Sequence, residues 1–282
     1  MGIDLWNLQF LLESYKLCGP MGDTVQIGRQ ELHVPPQAYD HADALFRRAG
    51  LNIGYEEACG GKRYADEGLL QSIGATNVRT ADASAYEGAD IVHDFNDPID
   101  PALHQAFDTV FDAGSLEHIF NVPGAIANEM NMVKVGGRLL STLPANNWLG
   151  HGFYQFSQEF PYRVFTPSNG FTVLRAFFSE MADNHEFLVI EDLFRRAGGE
   201  IGPTNTNTGL LVIAPKTAHV PLFKRWPQQG DYHSEWEKHG DAGNAPAAGA
   251  IAGTPSAVAT NPAASQSPGL LASVARKLGL AG

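Results

Sequence analysis

The run Phe107-Asp108-Thr109-Val110-Phe111-Asp112-Ala113-Gly114-Ser115-Leu116-Glu117-His118 decides how the chain is read. Its first half is short, apolar and rich in aromatic and β-branched residues, the composition of a buried strand, and it breaks at Gly114 into a polar turn. Beyond the turn Ile126, Met130 and Val133 recur at helical spacing, Pro123 sits where a helix begins, and Gly136-Gly137 ends it. Arg138 to Leu143 then reads as a second buried strand. Strand, turn, helix and strand make a βαβ unit with parallel strands and a right-handed crossover. Open α/β sheets bind ligands beyond the carboxyl ends of their strands, so Asp112 to His118 fall at the mouth of a site.

Working outward, residues 4 to 17 predict an amphipathic helix, capped by Asp4 and stopped by Cys18-Gly19-Pro20. Thr24 to Gly28 predicts the first strand of the sheet. Helical patterns follow over 35 to 49 and 65 to 73, with a loop from Gly54 to Gly61. Asn77 to Ser84 predicts a strand carrying Asp82 at its end, and Ala89 to Asn96 repeats the arrangement with Asp94. A rival register makes Asn52 to Glu56 the second strand and moves Asp82 to the tip of the third. Farther on, Asn169 to Phe178 and Gly209 to Ala214 predict two late strands, with a helical or mixed segment over 186 to 196 between them.

Phe-Asp-x-Val, a small polar turn, Leu-Glu-His and a helix ending Gly-Gly-Arg-Leu together resemble the fourth and fifth strands of the class I S-adenosylmethionine-dependent methyltransferases. The resemblance spans about residues 22 to 215. It implies an α/β fold with a Rossmann-like, doubly wound, seven-stranded sheet, an antiparallel strand near the C-terminus, and S-adenosylmethionine as cofactor. The family's first strand ends on an acid followed by Gly-x-Gly-x-Gly. Here Gln26 stands at the acid, and Gly28 is followed by Arg29-Gln30-Glu31. By resemblance Gln26 and Gly28 face the cofactor, Asp82 takes the ribose, Asp94 with Phe95 takes the adenine, and Asp112, Gly114 and Ser115 complete the set. The broken glycine motif leaves open a non-catalytic binding or scaffolding protein on the same fold. It disfavours a nicotinamide enzyme, which needs Gly-x-Gly-x-x-Gly at that turn.

The segment Pro144 to Arg163 is rich in aromatic residues, carries His151 between two glycines, and follows the carboxyl end of a strand. Histidine titrates nearest neutral pH, so His151 is a candidate general base on an acceptor hydroxyl, and His118 is the second candidate. Tyr154, Gln155, Glu159 and Arg163 are candidate hydrogen-bonding groups for a polar acceptor. The resemblance of this loop to bacterial proteins of surface-polysaccharide biosynthesis implies O-methylation of a small polar or sugar-containing acceptor.

Composition bounds the rest. The chain has 282 residues, of which 19 are Lys or Arg and 31 Asp or Glu, giving a net charge of −12 that disfavours nucleic acid. Cys18 and Cys59 make no disulfide framework, and a cytoplasmic location is expected. No apolar run reaches the roughly 20 residues of a membrane span. No Cys/His spacing indicates a metal, and none is expected. The catalytic domain is expected over 1 to 226, with a helical insertion at about 30 to 62. A flexible Ala/Gly/Pro/Ser/Thr linker is expected over 227 to 268. Residues 269 to 282 form a short amphipathic helix or a frayed tail, a candidate for weak docking to a membrane or a protein over 269 to 280.

Overall fold

The computed structural model describes residues 2–181, 187–192 and 204–230. The expected linker over 227 to 268 therefore lies outside the described residues from 231 on, as does the whole of the C-terminal segment.

The strands are β1 (Gly2–Ile3), β2 (Gly22–Ile27), β3 (Glu31–Leu32), β4 (Ala75–Asp82), β5 (Ile91–Val92), β6 (Phe107–Asp112), β7 (Val133–Pro144), β8 (Arg175–Glu180), β9 (Leu188–Ile190) and β10 (Thr208–Pro215). The α-helices are α1 (Leu5–Cys18), α2 (Tyr39–Arg48), α3 (Tyr55–Cys59), α4 (Leu69–Ser72), α5 (Val122–Met132) and α6 (Phe160–Val164). Among the described residues eight strands form one sheet in the order β5-β4-β2-β6-β7-β10-β8-β9, and β1 pairs with β3 apart from it. The pairs β5/β4, β4/β2, β2/β6 and β6/β7 are parallel, whereas β10 runs antiparallel to both β7 and β8. This is the expected doubly wound, Rossmann-like sheet with its reversed strand near the C-terminus. It has eight strands rather than seven. The extra one is β9, a three-residue edge strand lying within the segment expected to be helical or mixed.

The chain winds one way from β2 through β4 to β5 and the other way from β6 through α5 to β7, so the topological switch point lies between β2 and β6. Gly54 caps α3 rather than continuing a strand, which excludes Asn52 to Glu56 as the second strand and leaves Asp82 at the tip of β4. Among the described residues no helix separates β4 from β5, as the short gap between Asp82 and Asp94 implies.

Strand alternation divides the core between the two faces of the sheet. In β10, Leu210, Val212 and Ala214 pack on the α5 side with Ile126 and Met130, whereas Leu211 and Ile213 pack with α1 and α2. In β6, Val110 and Phe111 divide the same way. Helix α1 is held at its start by Asp4, which accepts from the Asn7 amide at 2.9 Å. Among the described residues no helix is long and apolar enough to cross a membrane.

Lys216, just past β10, is buried, and its ammonium donates to the carbonyls of Met130 at 2.9 Å and Val133 at 2.8 Å, at the C-terminus of α5. Burial lowers its pKa to about 8. The unfolded chain holds that proton up to a pH of about 10.4, so between the two values the unfolded state binds more protons and stability rises with pH. Below pH 8 the charged, buried ammonium carries its full desolvation cost. Lys216→Met is therefore expected to remove about 2–3 kcal/mol of stability gain between pH 7.5 and 10.5, read as the difference between the two proteins in urea titrations at each pH.

Candidate active site

Three carboxyl groups converge behind the tip of β6. Asp112 is fully buried and accepts from the backbone amides of Gly114 at 3.0 Å, Ser115 at 2.6 Å and Leu116 at 3.2 Å. It thereby fixes the turn that follows the strand. Glu129 of α5 is also fully buried, no N–H reaches its carboxyl, and Asp112 is its hydrogen-bonding neighbour. Burial and the Asp112 charge push the Glu129 pKa well up, so Glu129 keeps a proton and donates it to Asp112. Glu117, held just beyond the turn, is only 2% exposed, and burial followed by the Asp112 charge pushes its pKa up to about 8.

Glu117 meets two imidazoles. Its Oε1 lies 3.5 Å from His151 Nε2 and 3.8 Å from His118 Nε2, and the two rings stand edge to face with centroids 4.7 Å apart. Burial and the neighbouring His151 lower the pKa of His118. Trp148 packs against His151 with ring centroids 5.0 Å apart. Its indole N–H donates to the Thr208 carbonyl at 2.7 Å, and its backbone amide donates to Gln155 Oε1 at 3.0 Å. The segment carrying His151 is thus tied to β10 and to itself. Gly152 completes it. Its φ is +68°, and a Cβ there would sit 2.7 Å from the Glu117 carbonyl oxygen, so only glycine lets the segment close on Glu117 without strain. The Phe153 amide donates to that same carbonyl at 2.6 Å.

Glu117 and His151 open onto a cavity of about 380 Å³ whose wall also includes Asp4, Trp6, His33, Gly114, Pro144 and Trp148. It lies at the carboxyl ends of β6 and β7, on the β6 side of the switch point.

The sequence-predicted residues do not all gather there. His151 and Gly114 line the cavity, and His118 lies against His151. Asp82 Oδ1 accepts from the Ser84 amide at 3.0 Å, and Asp94 Oδ1 accepts from the Asn96 amide at 2.9 Å, so each carboxylate braces its own Asx turn with one oxygen. Phe95 is buried in the core and offers no free ring face. Gln26 is fully buried, donating to Thr80 at 2.8 Å and to Asp66 at 3.2 Å rather than pointing at a ligand. Gly28 keeps the left-handed conformation, with φ of +69°. Gln30, at the family's second glycine, is fully buried and its amide donates to the Ile27 and Gly28 carbonyls at 3.1 and 3.0 Å. Ser115 Oγ donates to that Ile27 carbonyl at 3.0 Å. Of the expected cofactor residues, Gly114 lines the cavity of about 380 Å³ and Gly28, Asp82 and Asp94 do not, while Gln30 narrows the loop where the family has glycine.

The expected acceptor-binding set divides. The Tyr154 hydroxyl donates to the Phe120 carbonyl at 2.8 Å, and Gln155 is engaged with Trp148. Glu159 and Arg163 pair at 3.2 Å and line a different cavity, of about 340 Å³, with Phe160, Phe223 and Trp226. Helix α6 turns them away from His151. The residues not assigned from sequence are Glu117, whose role needs the His151 contact, and Trp148, whose only signal is its place three residues before His151.

No protein-family model matches the chain, and no curated protein matches it by sequence. Solved structures similar to it include the N-methyltransferase NodS from Bradyrhizobium japonicum WM9, at 11% identity over 75% of this chain and 94% of that one, with a TM-score of 0.40. The 1,6-didemethyltoxoflavin-N1-methyltransferase from Burkholderia thailandensis, solved with S-adenosylhomocysteine, is 12% identical over 76% of this chain and 78% of that one, with a TM-score of 0.38. The CMeT domain of the citrinin polyketide synthase is 12% identical over 71% of this chain, with a TM-score of 0.36, and the chain spans about half of it, 47%.

Proposed function

We propose that the protein transfers a methyl group from S-adenosylmethionine to an oxygen of a small polar or sugar-containing acceptor. The observation that carries this reading is the Glu117–His118–His151 cluster opening on a cavity beside the switch point of a doubly wound sheet. Gly28, Gly114 and the carboxylates of Asp82 and Asp94 are the groups that would hold the cofactor. When bound, S-adenosylmethionine supplies a methyl carbon already made electrophilic by its sulfonium. What remains for the protein is to align the acceptor oxygen and to relieve it of its proton. Trp148 gives the cavity an aromatic wall suited to a sugar face, and the imidazole–carboxyl cluster is the proton-accepting feature that the wall presents.

The closed position of Gln30 favours a second reading, a binding protein on the same fold that has lost the cofactor. The two readings part in one assay. Full-length protein incubated with methyl-labelled S-adenosylmethionine and a fraction of polar metabolites and glycans is expected to label a small or glycan product. Absence of label above a protein-free control supports the binding protein.

A further inference from the structure

Glu117, His118 and His151 each offer a ligand atom, and these three atoms lie within 4.8 Å of one another. Two imidazoles and one carboxylate that leave open positions are a donor set suited to a first-row divalent metal rather than to magnesium or calcium, which prefer oxygen alone. A metal at about 2.0–2.2 Å from each ligand needs its ligands about 3.0–3.4 Å apart. The two carboxylate–imidazole edges, at 3.5 and 3.8 Å, are within a few tenths of an ångström of that.

A second observation points the same way. The side chain of Glu117 is 97% buried, because 3% of its surface is exposed, and Oε2 meets no hydrogen-bond donor. Its Oε1 lies 3.5 and 3.8 Å from the two imidazole nitrogens, both beyond good hydrogen-bonding distance, and the residue's own backbone amide is the hydrogen-bond donor to the carboxyl. A buried carboxylate with one oxygen left unpartnered is costly unless a proton or a cation sits on it. Asp112 behind it adds negative charge to the same place. The histidines are half-exposed, at 42% for His118 and 41% for His151, and His151 with Glu117 lines the cavity, so a cation can enter from there and keep positions open toward it.

We propose that Glu117, His118 and His151 bind one first-row divalent metal ion at the wall of the cavity. Binding itself is independent of the methyl-transfer reading. A role for the metal rests on that reading and replaces the direct base: it would take the acceptor hydroxyl as a ligand and lower its pKa, so the proton leaves to solvent before the oxygen is methylated and His151 serves as a metal ligand rather than as the proton acceptor.

The test is a cobalt(II) titration of the full chain after dialysis against a chelator, followed by visible absorption. One saturable site per chain with d–d bands is expected. Glu117→Gln, His118→Ala and His151→Ala are each expected to weaken it at least about tenfold, with circular dichroism showing that the variants fold. No saturable binding at 100-fold molar excess overturns the proposal. So does binding that survives unchanged in all three variants, which assigns the metal to other histidines. Calorimetry with S-adenosylhomocysteine on the metal-free protein keeps the two readings apart: cobalt binding without nucleoside binding retains the metal site and rejects methyl transfer.

Discussion

Asp112→Ala is expected to destabilise the protein by about 3–5 kcal/mol, read as a fall in the urea midpoint at constant slope. The carboxylate receives three backbone amides of the turn after β6, and truncation orphans all three in a dry interior. It also removes the acceptor of the proton that Glu129 carries, leaving a second buried polar group alone. Glu129→Gln is the informative companion. Its amide can donate to Asp112 without a shared proton, so stability at neutral pH should be kept or raised. A loss below about 1 kcal/mol in Asp112→Ala would show that the turn is held by something else. The consequence reaches the site, because the same turn places Gly114 and Glu117 on the cavity wall.

The reading from sequence succeeded where the signal was local and repeated. Phe107 to Leu143 announces β6, α5 and β7 in order, but α5 ends at Met132 and β7 already begins at Val133, running through the Gly136-Gly137 pair expected to end the helix, and the strand expected over 77 to 84 lies at Ala75–Asp82. The switch point followed from those elements. What stayed hidden depends on residues far apart in the chain. Glu117 and His151 are brought together by a turn whose geometry needs Asp112 below it and Gly152 above it. Gln30 closing over its own strand tip is a choice among rotamers that no spacing reveals. The Asx turns, by contrast, were legible: Asp82-x-Ser84 and Asp94-x-Asn96 are patterns whose side chains serve the amide two residues on. The acceptor set divided because α6 begins at Phe160 and carries Glu159 and Arg163 to another cavity. Lys216 and Glu129 gave no warning, since a lone charged residue beside an apolar run normally faces solvent.

His151→Ala is expected to lower methyl transfer by about 10²–10⁴-fold while leaving affinity for S-adenosylhomocysteine within about twofold. The imidazole faces the cavity and the carboxyl of Glu117, not the strand tips at Asp82 and Asp94, so its removal touches the acceptor's proton and not the nucleoside. His118→Ala should show a smaller effect of the same kind, because its ring braces that of His151 edge to face. Normal turnover in His151→Ala would hand the role to His118 or to solvent. A parallel loss of nucleoside affinity would mean that the segment from Pro144 onward shapes the cofactor site instead.

On the proposed reading the tips of β2, β4, β5 and β6 hold an adenosyl group despite the closed loop at Gln30. Titration calorimetry of the full chain with S-adenosylhomocysteine tests it most directly, with Asp82→Ala run alongside. One molecule bound per chain is predicted, weakened at least about tenfold in the variant without loss of fold, as expected when a charged hydrogen-bonding partner is removed. No heat of binding at millimolar ligand, or equal affinity in Asp82→Ala, would contradict it.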